Sequence, residues 1–186
     1  AIRCKTFEEF VDLSRAFSWN NLPEGKGVTV ISNAGGPAVI TADAIVEVGL
    51  ELAELSEKTK KEILEKLPDS ASVHNPVDVL GDALADRFEH AINLALEDES
   101  THSLLVLLTP QLMTQTVETA KSITKLADKH KKPVFVSFVG GDGVEEGIEY
   151  LHKNKIPTYE YPENAVNAIS EMWKFRERQQ KIENID

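Results

Sequence analysis

The residues best suited to chemistry by type and spacing are Asn33-Ala34-Gly35-Gly36-Pro37, which follow the β-branched run Val28-Thr29-Val30-Ile31. A short buried run closed by two glycines and a proline, then an apolar stretch to Val48, reads as strand, turn and helix. Gly35 and Gly36 permit positive φ and let a ligand approach the main chain closely. Pro37 suits the first helical position, where its missing N–H is no loss. The helix then carries Ala38, Val39, Ile40, Ala42, Ala44, Ile45, Val46 and Val48; apolar almost all round, it is expected to pack inside protein. Its first turn offers unpaired N–H groups and the positive end of the macrodipole, so the available chemistry is anion binding. Asn33 can orient the loop or donate to an anion through its amide. A plain tight turn accounts for the same residues equally well on local physics. The stretch is neither a dinucleotide fingerprint nor a P-loop, because G-x-G-x-x-G is absent and no Gly-Lys-Ser/Thr follows.

Other candidates are weaker. His74-Asn75-Pro76-Val77-Asp78 brings Asn75 and Asp78 either to the same crevice or to hydrogen bonds within their own turn. Thr109, Pro110 and Gln111 follow the most apolar run of the chain and supply donors at its end, while Gly140 and Gly141 follow another such run. The five histidines, His74, His90, His102, His130 and His152, show no metal-ligand spacing, and no serine has a nucleophile elbow behind it. Paired carboxylates such as Glu8-Glu9 and Glu145-Glu146 fall in helix first turns, where they suit the macrodipole. The chain offers a place to hold an anion and no group to break a bond: no catalytic residue and no metal site are expected.

These residues must be positioned by a framework of alternating elements. Strands are expected in the stretch from Gly27, with Val28, Val30 and Ile31 as its core, and at Leu50–Leu55, Ser103–Leu108, Pro133–Phe138 and Pro157–Glu160. Helices are expected at Thr6–Phe17, Pro37–Val48, Glu57–Leu67, Ala83–Glu97 (capped by Asp82), Thr116–His130, Val144–Asn154 and Glu163–Ile182. Segment 69–82 has no helical period, and Pro76 argues against a central strand there. The pattern implies an α/β fold: a flavodoxin-like, three-layer parallel sheet of about five strands in the order 2-1-3-4-5. Ligands in such sheets bind beyond the carboxyl ends of the strands, at the switch between strands 1 and 3. That switch sets Asn33–Pro37 beside Thr109–Gln111, with Gly140 and Gly141 close by. Residues 1–24 read as an N-terminal helix and linker, and residues 25–186 as the domain.

With a net charge of -11 over 186 residues, nucleic acid and anionic membranes are poor partners, since both call for basic patches. The single cysteine, Cys4, excludes an internal disulfide. No apolar run reaches the roughly 20 residues of a membrane span, and the N-terminus has no signal-peptide pattern. A cytoplasmic setting is expected.

Ile31-Ser-Asn-Ala-Gly-Gly-Pro37, Thr41-Ala-Asp-Ala44 and Leu52-Ala-Glu-Leu-Ser56 together resemble the ADP-forming acyl-CoA synthetases (acetate–CoA ligases), relatives of succinyl-CoA synthetase. Asn75-Pro-Val-Asp-Val-Leu-Gly-Asp82, Leu107-Leu-Thr-Pro-Gln111, Ser137-Phe-Val-Gly-Gly141 and Val144-Glu-Glu-Gly147 extend the resemblance over nearly the whole chain. It implies the family's second flavodoxin-like ligase domain, within an enzyme that converts acyl-CoA, ADP and phosphate to acid, CoA and ATP through an acyl phosphate and a phosphohistidine. It further implies phosphate binding by Asn33, Ala34, Gly35, Gly36 and Pro37, facing a similar helix from the histidine domain. Asn75, Asp78, Thr109, Gln111, Gly140 and Gly141 are possible lining residues.

The CoA-binding Rossmann domain, the histidine domain and the ATP-grasp domain of that family have no counterpart in these residues. They are the implied partners. CoA, ADP or ATP, phosphate and Mg belong to the complete enzyme, and the isolated chain is expected to bind no cofactor and not to turn over. A second expectation, from another class, is a ligand-sensing module of the kind fused to protein acetyltransferases.

Overall fold

The computed structural model describes residues 1–141 and 143–183. Five parallel strands form one sheet: β1 (Gly27–Ser32), β2 (Glu51–Leu52), β3 (Val77–Asp78), β4 (Ser103–Leu108) and β5 (Val134–Phe138). The order is β2-β1-β4-β5, with β3 also paired to β1. Among the described residues seven helices cover the sheet: α1 (Phe7–Trp19), α2 (Gly35–Glu47), α3 (Glu57–Leu64), α4 (Ala85–Glu97), α5 (Thr116–His130), α6 (Glu145–Lys153) and α7 (Pro162–Glu183).

Both β1 and β4 are buried along their whole length, as central strands covered on both faces must be. Side chains alternate between two cores because successive residues of a strand point to opposite faces. Leu104, Val106 and Leu108 meet Phe88 and Ile92 of α4 and Ile123 of α5. Leu105, Leu107 and Phe135 meet Ile45 of α2, Leu13 of α1, and Ile169 and Met172 of α7. The N-terminal helix thus shares the second core, and Asn164 Nδ2 of α7 donates to Glu8 Oε1 at 2.9 Å.

Several sequence expectations are corrected at the sheet edges. Of Leu50–Leu55 only Glu51–Leu52 pair, against Gly27 and Val28. Despite Pro76, Val77–Asp78 do form a strand, against Ile31 and Ser32. Two short strands therefore share one edge of β1, and the proline is tolerated because it precedes the pairing residues. Between them the edge is closed by a side chain. Asn75 Oδ1 accepts from Val30 N–H at 2.9 Å, and Asn75 Nδ2 donates to the carbonyls of Val28 (2.7 Å) and Ala53 (3.0 Å). The Asn75–Pro76 peptide bond is cis. Pro157–Glu160 contributes a single parallel bridge, Val136 to Thr158, rather than a strand; counted as a fifth position, it completes the expected order. Helix α4 starts at Ala85 with Leu84 at its cap, not at Ala83 after Asp82. Asp82 instead pairs with Arg87 at 2.7 Å. Helix α3 stops at Leu64, three residues before the expected Leu67.

Candidate functional site at the carboxyl edge of the sheet

Strands β1 and β4 are neighbours, with Ile31 opposite Val106 and Ser32 opposite Leu107. The loops after them therefore leave the same edge side by side, as the topology anticipates. Asn33 joins them. Its side chain is buried, Nδ2 donating to Thr109 O at 2.9 Å while Oδ1 accepts from Thr109 N–H at 2.8 Å. Both halves of the carboxamide are engaged, so its role here is to orient the loop. A methyl built on Gly81 would lie 3.9 Å from the Asn33 carbonyl oxygen and 3.8 Å from Gln111 Cγ. The loop after β3 thus converges on the same point.

Helix α2 begins earlier than its sequence suggests. Gly35 and Gly36 are its first two residues and Pro37 its third. Neither glycine has positive φ, because the turn is completed before the helix starts. Ser32 does that work: its hydroxyl accepts from Ala34 N–H at 3.0 Å and donates to Ala34 O at 2.9 Å. A serine two residues before the turn's end is a local side-chain-to-backbone signal that the sequence reading missed. The first helical hydrogen bond runs from Ala38 N–H to Ala34 O. Pro37 has no N–H, and Ala34 N–H is taken by Ser32. The orphan donors of this helix end reduce to the N–H groups of Gly35 and Gly36, both exposed. Neither has an acceptor among the described residues.

The charge pattern at this helix end differs from that of the other helices. Of the seven described helices, α2 alone has no acidic residue in its first turn. The others place carboxylates there, where they neutralise the positive dipole end. In a chain with 31 acidic residues, that omission leaves the α2 terminus with no carboxylate of its own first turn. The two glycines have no internal explanation either: a Cβ added to Gly35 or Gly36 would meet nothing within 4 Å.

The expectation that α2 is enclosed on all sides is corrected. Ala38, Thr41 and Ile45 face the core, whereas Val39, Ile40 and Val46 are 61%, 56% and 63% exposed. This apolar stripe runs down the outer face from Gly35 and Gly36.

The remaining candidates divide. Gly140 is held at φ +145° against the β4 loop, and a Cβ there would sit 2.8 Å from Pro110 Cγ and Cδ. Glycine is required at that position for the close approach of the β5 loop. Gly140 and Gly141 line a cavity of about 750 Å³ with Asp12, Arg15 and Tyr159. None of Asn33–Pro37 lines it. Asp142 of the same glycine loop lies outside the described residues. The Thr109 hydroxyl is buried without a partner among the described residues, and Gln111 N–H is held by Thr114 Oγ1 at 2.8 Å. Asp78 Oδ1 accepts from Leu80 N–H at 2.8 Å, which is a turn role. Asn75 belongs to the sheet edge and not to the crevice.

His90, His102, His130 and His152 are hydrogen-bonded to Glu62 O, Gly27 N–H, Asn93 Oδ1 and Thr158 Oγ1 respectively. His74 is exposed before β3. Among the described residues no group of three or more His, Cys, Asp or Glu could hold a metal ion, and no helix is long and apolar enough to cross a membrane.

Residues 28–182 match the family model described as the Ligase-CoA domain. The chain is 41% identical over 178 residues to an ADP-forming acetate–CoA ligase of Methanocaldococcus jannaschii, covering 94% of the chain and 25% of that protein. It is 38% identical over 167 residues to the alpha subunit of ADP-forming acetate–CoA ligase II of Pyrococcus furiosus, covering 88% and 36%. The structure of Ca. Korarchaeum cryptofilum dinucleotide-forming acetyl-coenzyme A synthetase 1, in complex with phosphate and ADP, superposes with a TM-score of 0.90 at 31% identity. That match covers 97% of the chain and 39% of the other. The chain thus spans a quarter to two fifths of the length of these relatives.

Proposed function

The chain belongs to the Ligase-CoA domain family, and on that footing we propose that it is the phosphate- and phosphohistidine-binding domain of an ADP-forming acyl-CoA synthetase. The complete enzyme would convert acyl-CoA, ADP and phosphate to the acid, CoA and ATP. The observation that carries this reading is the start of α2. There, two exposed N–H donors on residues without side chains stand at the sheet's switch point, with no carboxylate in the first turn. Main-chain donors and the helix dipole would hold phosphoryl oxygens without any proton transfer. The donor set is Gly35 and Gly36. Ala34 and Pro37 shape the turn, and Asn33 ties it down.

This half-site contains no nucleophile, so the phosphorylated histidine must come from another domain. The exposed Val39, Ile40 and Val46 give that domain an apolar stripe beside the glycines. CoA, ADP and Mg would be held mainly by the CoA-binding and ATP-grasp domains of the same enzyme. Relatives several times longer than this chain are consistent with such neighbours.

Gly35→Asp tests the reading. Its Cβ meets open space and an acidic residue suits a helix first turn, so the fold is expected to survive. In the assembled enzyme the carboxylate would repel phosphate, raising its KM by roughly tenfold or more. ATP formation at an unchanged KM for phosphate would refute the assignment.

A further inference from the structure

We infer that Asn33 is a positioning residue whose carboxamide sets the angle at which the Gly35 and Gly36 donors leave the sheet; the inference rests on the phosphate reading above. The chain passes from a fully buried strand to an exposed helix end in two residues, Asn33 and Ala34. Through its side chain, Asn33 ties that passage to the first residue of the loop after β4. Its carboxamide takes both main-chain groups of Thr109, N–H at 2.8 Å and O at 2.9 Å, two residues beyond Leu107, which is the partner of Ser32. Thr109 is fixed in turn. Its neighbour Pro110 packs against Gly140, and the strand that it follows, β4, lies between β1 and β5.

The clamp therefore refers the α2 terminus to the central strands rather than to its own turn alone. Ser32 secures Ala34 locally, but its bonds span two residues and do not set the loop's direction relative to β4. Asparagine is chemically specific here. Aspartate would turn the donor to Thr109 O into a second acceptor, and alanine would leave both Thr109 main-chain groups unpaired. Donors aimed at a bound group act through pre-organisation, so a loosened loop weakens phosphate binding even when no phosphate contact is deleted.

The test uses the complete ligase and reads KM for phosphate separately from kcat, in the direction of ATP formation, for Asn33→Ala, Asn33→Asp and Gly35→Asp. Both Asn33 variants are expected to raise KM for phosphate roughly tenfold. In Asn33→Asp the defect, measured against the parent at each pH, should narrow as pH falls, because a protonated carboxyl regains a donor for Thr109 O. A residue that merely stabilises the fold would lower thermal stability while leaving KM and its pH profile unmoved. That result, alongside a raised KM in Gly35→Asp, overturns the positioning role alone. Unchanged KM in all three variants overturns the phosphate reading beneath it. If Asn33→Ala is not recovered folded, Asn33→Asp gives the same comparison, since it keeps an acceptor for Thr109 N–H.

Discussion

Replacing Asn75 with alanine should destabilise the chain by about 2–4 kcal/mol. Its side chain fills the gap in the β1 edge between β2 and β3, holding Val30 N–H, Val28 O and Ala53 O at 2.7 to 3.0 Å. After truncation Val28 O keeps a partner, because Ala53 N–H still donates to it at 3.0 Å. Val30 N–H and Ala53 O lose their partners, and both residues are buried. A buried, unpaired main-chain donor costs on the order of 1–3 kcal/mol, and the carbonyl and the vacated volume add to it. Against a total stability of roughly 5–15 kcal/mol, that is a large fraction. The assay is urea unfolding near neutral pH, with Asn21→Ala as the control. Asn21 also bonds a carbonyl through its amide, that of Lys131, but it does so at the exposed surface. Its loss should cost less than about 0.5 kcal/mol. If Asn75→Ala unfolds at the same midpoint as the control, the sheet edge does not depend on this side chain and the reasoning fails.

Two further outcomes can be checked on the same chain. Gly140→Ala should lose roughly 2–4 kcal/mol by denaturant unfolding, since φ +145° disfavours any side chain and Pro110 lies 2.8 Å from the new Cβ. Gly141→Ala, whose Cβ meets nothing, should cost much less, and equal losses would sink the argument. Asp98 supplies a pH dependence. Burial by itself would push its carboxyl up, but hydrogen bonds from the side chains of Thr59 and Ser100 and from the N–H groups of Ser56 and Ser100 outweigh it. They hold it well below the usual carboxylate range. Its stabilisation is therefore present above the unfolded-state pKa of about 4 and lost progressively as pH falls towards the folded one. Acid titration of stability should be shallower below about pH 4 in Asp98→Asn than in the parent, and parallel curves would remove Asp98 as the cause.

The sequence by itself determined the architecture of this protein, because the signals involved are local. The apolar runs Leu104–Leu108 and Val134–Val136 suit strands covered on both faces, and the helix between them calls for a parallel crossover. The flavodoxin-like order expected on that pattern sets the Asn33 and Thr109 loops side by side, and the central strands have that order. The resemblance in Asn33–Pro37 and along the rest of the chain pointed to the same family that the comparisons show.

What the tertiary structure decided are the facts that depend on who satisfies whom. Asn33 and Asn75 look alike in sequence, each a polar residue beside a proline-containing turn. One clamps two loops at the carboxyl edge, and the other completes the hydrogen bonding of a broken sheet edge. Hydrophobic period cannot report this, since it records which residues are buried and not which carbonyl lacks a donor. Gly35 and Gly36 likewise suggested positive φ, yet they proved to be ordinary helical residues over open space. Whether a glycine serves its own backbone or the approach of something else is a question of surroundings, and only packing in three dimensions supplies the surroundings.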